Sequence, residues 1–78
     1  MMFTATIFLK DRRKNPIIIE DVQMIKTRDM VDAEEIETKD FFDFSINDVV
    51  GELKVIGKNS SFVIYPDELA GIKFEKSN

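Results

Sequence analysis

Short runs of alternating apolar and polar residues recur along this chain, and they predict β-strands joined by tight turns. In the first run, Phe3, Ala5, Ile7 and Leu9 fall on one side of an extended chain, with a mixed set of residues between them. This period of two indicates a strand with one buried face. Related runs, some alternating and some short and β-branched, lie at 17–25, 42–46, 53–56, 62–65 and 72–76. The pattern therefore predicts an all-β fold of five to six short strands.

In the run at 17–25 the alternation of apolar and polar residues slips once, and two structures fit this change. Three isoleucines at 17–19 open a strand, but past residues 20–21 the apolar positions resume out of step. A β-bulge is one cause of such a shift, and a helix that buries the apolar residues of 18–25 is the competing interpretation. Residues 10–16 and 57–60 carry the Gly, Asn and Pro signals of turns, so each is predicted to close a hairpin.

Two other segments have the residue order of single helical turns. Pro66 is followed by acids, which the helix dipole favours in a first turn, and Gly71 stands where such a turn would end. Ser45 and Asp48 have the spacing of a capping box, and Gly51 is the candidate end of that turn. One or two short helical turns are therefore predicted among the strands.

An acidic segment, Thr27 to Asp40, interrupts the strand pattern. Its few apolar residues would give a helix only a thin buried face. A short helix from Met30 to Glu37 and an exposed loop both fit this composition. If the helix forms and packs on the sheet, the fold is α+β with a helix near 30–37. The acids that make this segment a candidate partner-binding surface are Asp29, Asp32, Glu34, Glu35, Glu37 and Asp40.

Length and composition predict one small globular domain, residues 1–78. Apolar residues make up 44% of the sequence and charged residues 33%, which is too apolar for a disordered chain. Short strands and tight turns in a chain of this size fit a barrel, a roll or a sandwich. There is no Cys, so no disulfide or thiolate metal site reinforces the core. Small chains without such reinforcement often gain core by oligomerising, so a homo-oligomer is predicted. The alternative is a well-packed monomer whose apolar residues close a second layer within one chain.

The sequence lacks the side chains that most often perform catalysis at neutral pH. It contains neither His nor Cys, and its three glycines, at 51, 57 and 71, do not form a phosphate-binding loop. We therefore predict a protein that is not an enzyme and uses no cofactor. Acid–base chemistry by carboxylates alone is the remaining enzymatic alternative. The acids between 32 and 37 do not follow the order of a calcium-binding loop, so no metal site is predicted.

A basic turn after the first strand, residues 10–14, is the second charged feature. It contains four cations and one acid, in a chain whose net charge is −4. In one interpretation Arg12, Arg13 and Lys14 contact phosphates, while Phe8 or Tyr65 offers a base-stacking surface. The acidic balance argues against a general nucleic-acid binder, and core packing explains Phe8 and Tyr65 better. A solvated loop tip is the other interpretation.

The leading functional hypothesis is a non-enzymatic protein-interaction or structural module that self-associates or docks on another protein. Exposed strand edges present unpaired backbone groups that a second chain can complete, and the acidic segment would pair with the basic turn of a neighbour. The alternative is a small β-barrel that binds single-stranded nucleic acid through residues 12–14.

A cytoplasmic location is also predicted. No run is long enough to cross a bilayer, and the apolar start lacks the positive residues of an export signal. In general style, a small acidic β-domain with Phe-rich strands resembles accessory proteins of bacteria and their phages. This likeness covers no motif and assigns no residues.

Overall fold

The computed structural model describes residues 2–28, 35–44 and 51–77, and within these ranges the chain forms seven β-strands in two antiparallel sheets. In chain order the strands are β1 (Met2–Leu9), β2 (Ile17–Ile19), β3 (Val22–Arg28), β4 (Glu35–Thr38), β5 (Glu52–Gly57), β6 (Ser61–Ile64) and β7 (Leu69–Ser77). The three-stranded sheet has the order β2-β1-β7, and the four-stranded sheet has the order β4-β3-β5-β6. The all-β prediction is confirmed, with more strands than predicted and without closure into a barrel.

The two sheets enclose one apolar core, in which β1 faces β3 and β2 faces β5. As the alternation in β1 predicts, Ala5 and Ile7 are completely buried. Full burial of an aliphatic side chain stabilises a fold by roughly 1.5–3 kcal/mol, so this shared layer is the main source of stability. The other buried strand residues are Ile19 and Leu69 from the three-stranded sheet and Val22, Ile25, Leu53, Val55 and Ile64 from the four-stranded sheet.

The chain changes sheets at a two-residue corner, Glu20–Asp21. The predicted hairpin of β1 and β2 is confirmed, and β3 then begins in the other sheet. Asp21 has a positive φ of 52°, a left-handed conformation that Asp tolerates better than most residues. The helix interpretation of this region is therefore wrong, and the loss of phase marks a corner between sheets. Just after the corner, the register between β3 and β5 shifts between Val22 and Met24. The start of β3 therefore also contains a β-bulge or a similar irregularity.

The corner packs directly against Gly57 at the end of β5. A Cβ atom built on Gly57 would lie 2.7 Å from the Glu20 carbonyl oxygen and 2.7 Å from Cγ2 of Ile19. The Lys58 backbone N–H donates to the Asp21 carbonyl oxygen at 3.0 Å, which ties the two segments together. Glycine is required at this position because another backbone approaches too closely for any side chain.

The acidic segment contains a strand where a helix or a loop was predicted. Glu35–Thr38 is β4, which pairs antiparallel with the end of β3, so a helix that reaches Glu37 is wrong. Glu37 lies opposite Lys26, and Glu35 lies opposite Arg28. Opposite charges across two strands favour the extended conformation over a thinly packed helix. Residues 29–34, which include the rest of the predicted helix, lie outside the described residues.

Residues 41–44 form a turn and an irregular segment, although the alternation of 42–46 predicted a strand. The physical reason is the position of Phe41, which is buried between two rings of the three-stranded sheet. Its ring centroid lies 5.1 Å from that of Phe3 and 5.5 Å from that of Phe74. Phe42 contacts Phe3 and Phe44 contacts Phe74. Ile46 and the predicted capping box at 45–48 lie outside the described residues.

The last hairpin and the following helical turn agree closely with prediction. β5 and β6 pair antiparallel across the predicted turn, where the Gly57 N–H donates to the Ser60 carbonyl oxygen at 2.7 Å. Pro66–Glu68 forms a single 3-10 turn. Gly71 was predicted to end this turn but lies inside β7, which begins at Leu69 because that side chain is buried in the core.

Replacing Phe41 by Ala should lower the free energy of unfolding by about 3–5 kcal/mol, because it leaves a cavity between two aromatic rings. Phe42→Ala is the matched control, since the Phe42 side chain is 63% exposed and that of Phe41 only 5%. Urea unfolding followed by circular dichroism measures both. Equal losses for the two variants would contradict the buried position of Phe41.

Gly57→Ala should destabilise the fold by about 1–3 kcal/mol, because the new methyl group overlaps the Glu20–Asp21 corner. Gly71→Ala is the matched control, since in the described ranges no atom other than those of its chain neighbours lies within 4 Å of a Cβ built there. Removing a glycine from a strand should leave stability unchanged or raise it by up to about 1 kcal/mol. In thermal unfolding, the melting temperature of Gly57→Ala should therefore fall, and that of Gly71→Ala should stay the same or rise. An equal fall in both variants would refute the close contact at Gly57.

Candidate interaction surface

The basic turn between β1 and β2 is partly neutralised by its own acid. Asp11 accepts two hydrogen bonds from the Arg13 guanidinium, from Nε to Oδ1 at 3.0 Å and from Nη2 to Oδ2 at 3.2 Å. These two bonds stabilise the charged carboxylate and are the main reason why the pKa of Asp11 lies below its ordinary value. A hydrogen bond from the Arg13 backbone N–H adds a smaller effect in the same direction. Arg12 and Lys14 are exposed, and in the described part of the chain neither forms an ion pair.

A groove of about 330 Å³ joins the basic turn to the 3-10 turn. The Lys10 N–H donates to the Glu68 carbonyl oxygen at 2.9 Å and holds the two turns side by side. The groove therefore contains cations and acids together, and its acids oppose the binding of a phosphate chain. Its lining residues are Leu9, Lys10, Asp11, Lys14, Phe62, Asp67 and Glu68.

The two aromatic residues considered for base stacking do not share a surface. Phe8 is 39% exposed and Tyr65 is 46% exposed, so the core-packing interpretation of both is wrong. Phe8 lies on the outer face of the three-stranded sheet, opposite Gly71. Tyr65 follows β6 in phase with the exposed residues Ser61 and Val63, on the outer side of the four-stranded sheet. The geometry thus brings no pair of rings together beside the cations of residues 12–14.

The described acids of the acidic segment are largely engaged by cations of β3. Nζ of Lys26 lies 3.3 Å from Oε1 of Glu35 and 3.7 Å from Oε1 of Glu37, and Nη2 of Arg28 lies 3.1 Å from Oε2 of Glu35. The hydrogen bond from Arg28, and next that from Lys26, lower the pKa of Glu35.

These ion pairs neutralise part of the predicted acidic surface. The structure brings Glu35 and Glu37 together beside Lys26, where they serve the four-stranded sheet. Asp40 is exposed beyond β4. Asp29, Asp32 and Glu34 lie outside the described residues.

The edge of β7 is the largest unpaired backbone surface in the described ranges. The other edge strands are short: β2 has three residues, and β4 and β6 have four each. β7 has nine residues and pairs with β1 on one side, while no described strand pairs with its outer side. A long unpaired edge is a template for the addition of a further strand. Sequence alone could not find this edge, because edge position depends on the order of strands in the sheet.

Large apolar side chains are exposed on the outer face of the three-stranded sheet. Ile18 is 60% exposed on β2, opposite Thr6, and Phe8 is exposed on β1. Gly71 lies opposite Phe8 and provides no side chain to cover its ring. Phe8, on the strand next to β7, therefore adds apolar contact area near this edge, whereas Ile18 lies on the opposite edge strand of the sheet.

Other kinds of site find no support among the described residues. In residues 2–28, 35–44 and 51–77, no three acids lie close enough together to hold a metal ion. Every buried side-chain nitrogen or oxygen in those ranges has a hydrogen-bond partner. No helix in the described ranges is both long and apolar enough to span a membrane.

Glu35→Gln should destabilise the fold at neutral pH, and this difference from the wild-type chain should vanish in acid. The folded-state pKa of Glu35 lies below the ordinary value of 4.5, so its carboxylate stabilises the fold above about that pH and loses this contribution as the pH falls through the folded pKa. The difference in stability is measured from the urea unfolding midpoints of the variant and the wild-type chain, from neutral to strongly acidic pH. Glu20→Gln, which removes no ion pair of the described residues, is the control. A difference that persists unchanged in acid would show that the Glu35 charge is not its source.

Neither a protein-family model, nor a curated protein, nor a solved structure matches this chain. The function is therefore inferred from the geometry and charges of the chain's own residues.

Proposed function

We propose that this chain is a non-enzymatic protein-interaction module that self-associates or docks on a protein partner by adding a strand to the outer edge of β7. The observation that carries the proposal is the length of that edge, nine residues in a sheet whose opposite edge has three. Backbone hydrogen bonds along such an edge provide affinity, and the alternating side chains provide specificity.

Regular geometry along β7 supports this use of its edge. The pairing of β7 with β1 is continuous from Gly71 to Ser77, and the one irregularity lies at the start of the strand, opposite Phe8 and Leu9. The strand contains no proline. Bulges and prolines are devices that block edges in natural sheets, so their absence from residues 71–77 leaves a straight template of seven residues.

The charges of β7 set the kind of strand that it accepts. Lys73 and Glu75 lie exposed on its outer face, and Lys76 is exposed near its end. Inward-facing Ile72 and Phe74 alternate with them and are half-buried. A strand with the same alternation of apolar and mixed-charge residues matches both faces. A cytoplasmic location, predicted from the sequence, is compatible with this role.

Light scattering from micromolar concentrations upward should give a mass above 9 kDa, the mass of one chain. Hydrogen exchange should slow at β7 amides as the concentration rises, because a bound strand protects the edge, while amides of β4 and β6 should exchange at an unchanged rate. A single-chain mass at every concentration would remove self-association. Association that leaves β7 exchange unchanged would show that the interface lies elsewhere.

A further inference from the structure

We infer that the strand bound by β7 is β7 of a second copy of this chain, paired antiparallel about a two-fold axis at Phe74. This inference rests on the proposed function, since it takes the edge of β7 as the binding surface. It adds the identity of the partner and the register of the two strands.

Symmetry restricts the registers to a few. A two-fold axis perpendicular to the sheet pairs the strands antiparallel and keeps outer face next to outer face. Each residue therefore meets a partner residue of the same face, and one residue of β7 lies opposite its own copy. For most of the regular part of β7, residues 71–77, to overlap with its copy, the central residue is Lys73, Phe74 or Glu75.

The charges select Phe74 from these three. With Lys73 at the centre two lysines oppose each other, and with Glu75 at the centre two glutamates do, which like-charge repulsion disfavours. With Phe74 at the centre Lys73 lies opposite the partner's Glu75, and Glu75 lies opposite the partner's Lys73. β7 is thus self-complementary in one register.

The single chain already holds these two charges side by side. Nζ of Lys73 lies 3.3 Å from Oε1 of Glu75, and both side chains are largely exposed. Pairing two copies at Phe74 would convert this exposed pair into an alternating group of two cations and two acids on the outer face. Each charge would then have an opposite charge beside it along the strand and across the strands.

The inner face of the same register is apolar at its centre. Phe74 would lie opposite the partner's Phe74, and it already stacks on Phe41 and contacts Phe44 edge-on. The aromatic clusters of the two copies would therefore adjoin across the axis. Ile72 would lie opposite the partner's Lys76, whose aliphatic stem can cover it while the ammonium stays in water.

Charge reversal at the two positions tests partner and register together. Lys73→Glu and Glu75→Lys each place two like-charge pairs in the dimer, so each variant alone should dimerise at least about tenfold more weakly than the wild-type chain. An equimolar mixture of the two variants restores both opposite-charge pairs and should form a heterodimer of near wild-type affinity. The double variant Lys73→Glu with Glu75→Lys should also dimerise like the wild-type chain. Sedimentation velocity with one variant labelled measures all four species, and urea unfolding confirms that each variant folds.

The outcomes separate this inference from the proposed function. If both single variants dimerise like the wild-type chain and the mixture shows no preference, the register at Phe74 is wrong although edge association stands. If the wild-type chain remains a single chain at every concentration, the second copy is rejected as the occupant. Slowed exchange of β7 amides in a complex with a different protein would then still support the edge as the binding surface.

Discussion

Close contact between the Glu20–Asp21 corner and Gly57 determines how the two sheets lie relative to each other. The chain passes from one sheet to the other within two residues, and β5 provides a position without a side chain at that point. Ile19 and Val22, on either side of the corner, are both buried, so one core continues across it. A side chain at position 57 would push β2 and β3 away from β5 together. The end of β2, the start of β3 and the end of β5 therefore meet at the same short contact.

Local alternation was sufficient to locate the strands that bury one face in the core, but it could not reveal interactions between distant parts of the chain. In β1 and β5 the inward residues recur every second position, and both strands were predicted. Glu35 and Glu37 were assigned to a helix or a loop because the cations that hold them extended belong to β3. Phe42 and Phe44 have the alternation of a strand, yet they lie in a turn and an irregular segment, because the neighbouring ring of Phe41 fills the space beside Phe3 and Phe74.

The charged surfaces show the same limit of sequence reasoning. Along the sequence the basic turn and the acidic segment look segregated, whereas the fold mixes opposite charges in both regions. Asp67 and Glu68 approach the basic turn from another part of the chain, and Lys26 neutralises acids of the neighbouring strand. The edge of β7 was predicted as a strand but not as an edge, because no pattern within β7 reports the order of strands in a sheet.

Pairing of β1 with β7 has a consequence for the order in which the molecule assembles. The four-stranded sheet contains two hairpins, β3 with β4 and β5 with β6, whose strands are close along the chain. In the three-stranded sheet, Met2–Leu9 pairs with Leu69–Ser77. This ladder between β1 and β7 closes a loop that contains almost the entire sequence. Such a closure carries a large entropy penalty, and it slows folding in domains dominated by distant contacts to times on the order of milliseconds to seconds. During synthesis on the ribosome, β1 can pair with β2 at once, but its ladder with β7 must wait until residues 69–77 have emerged.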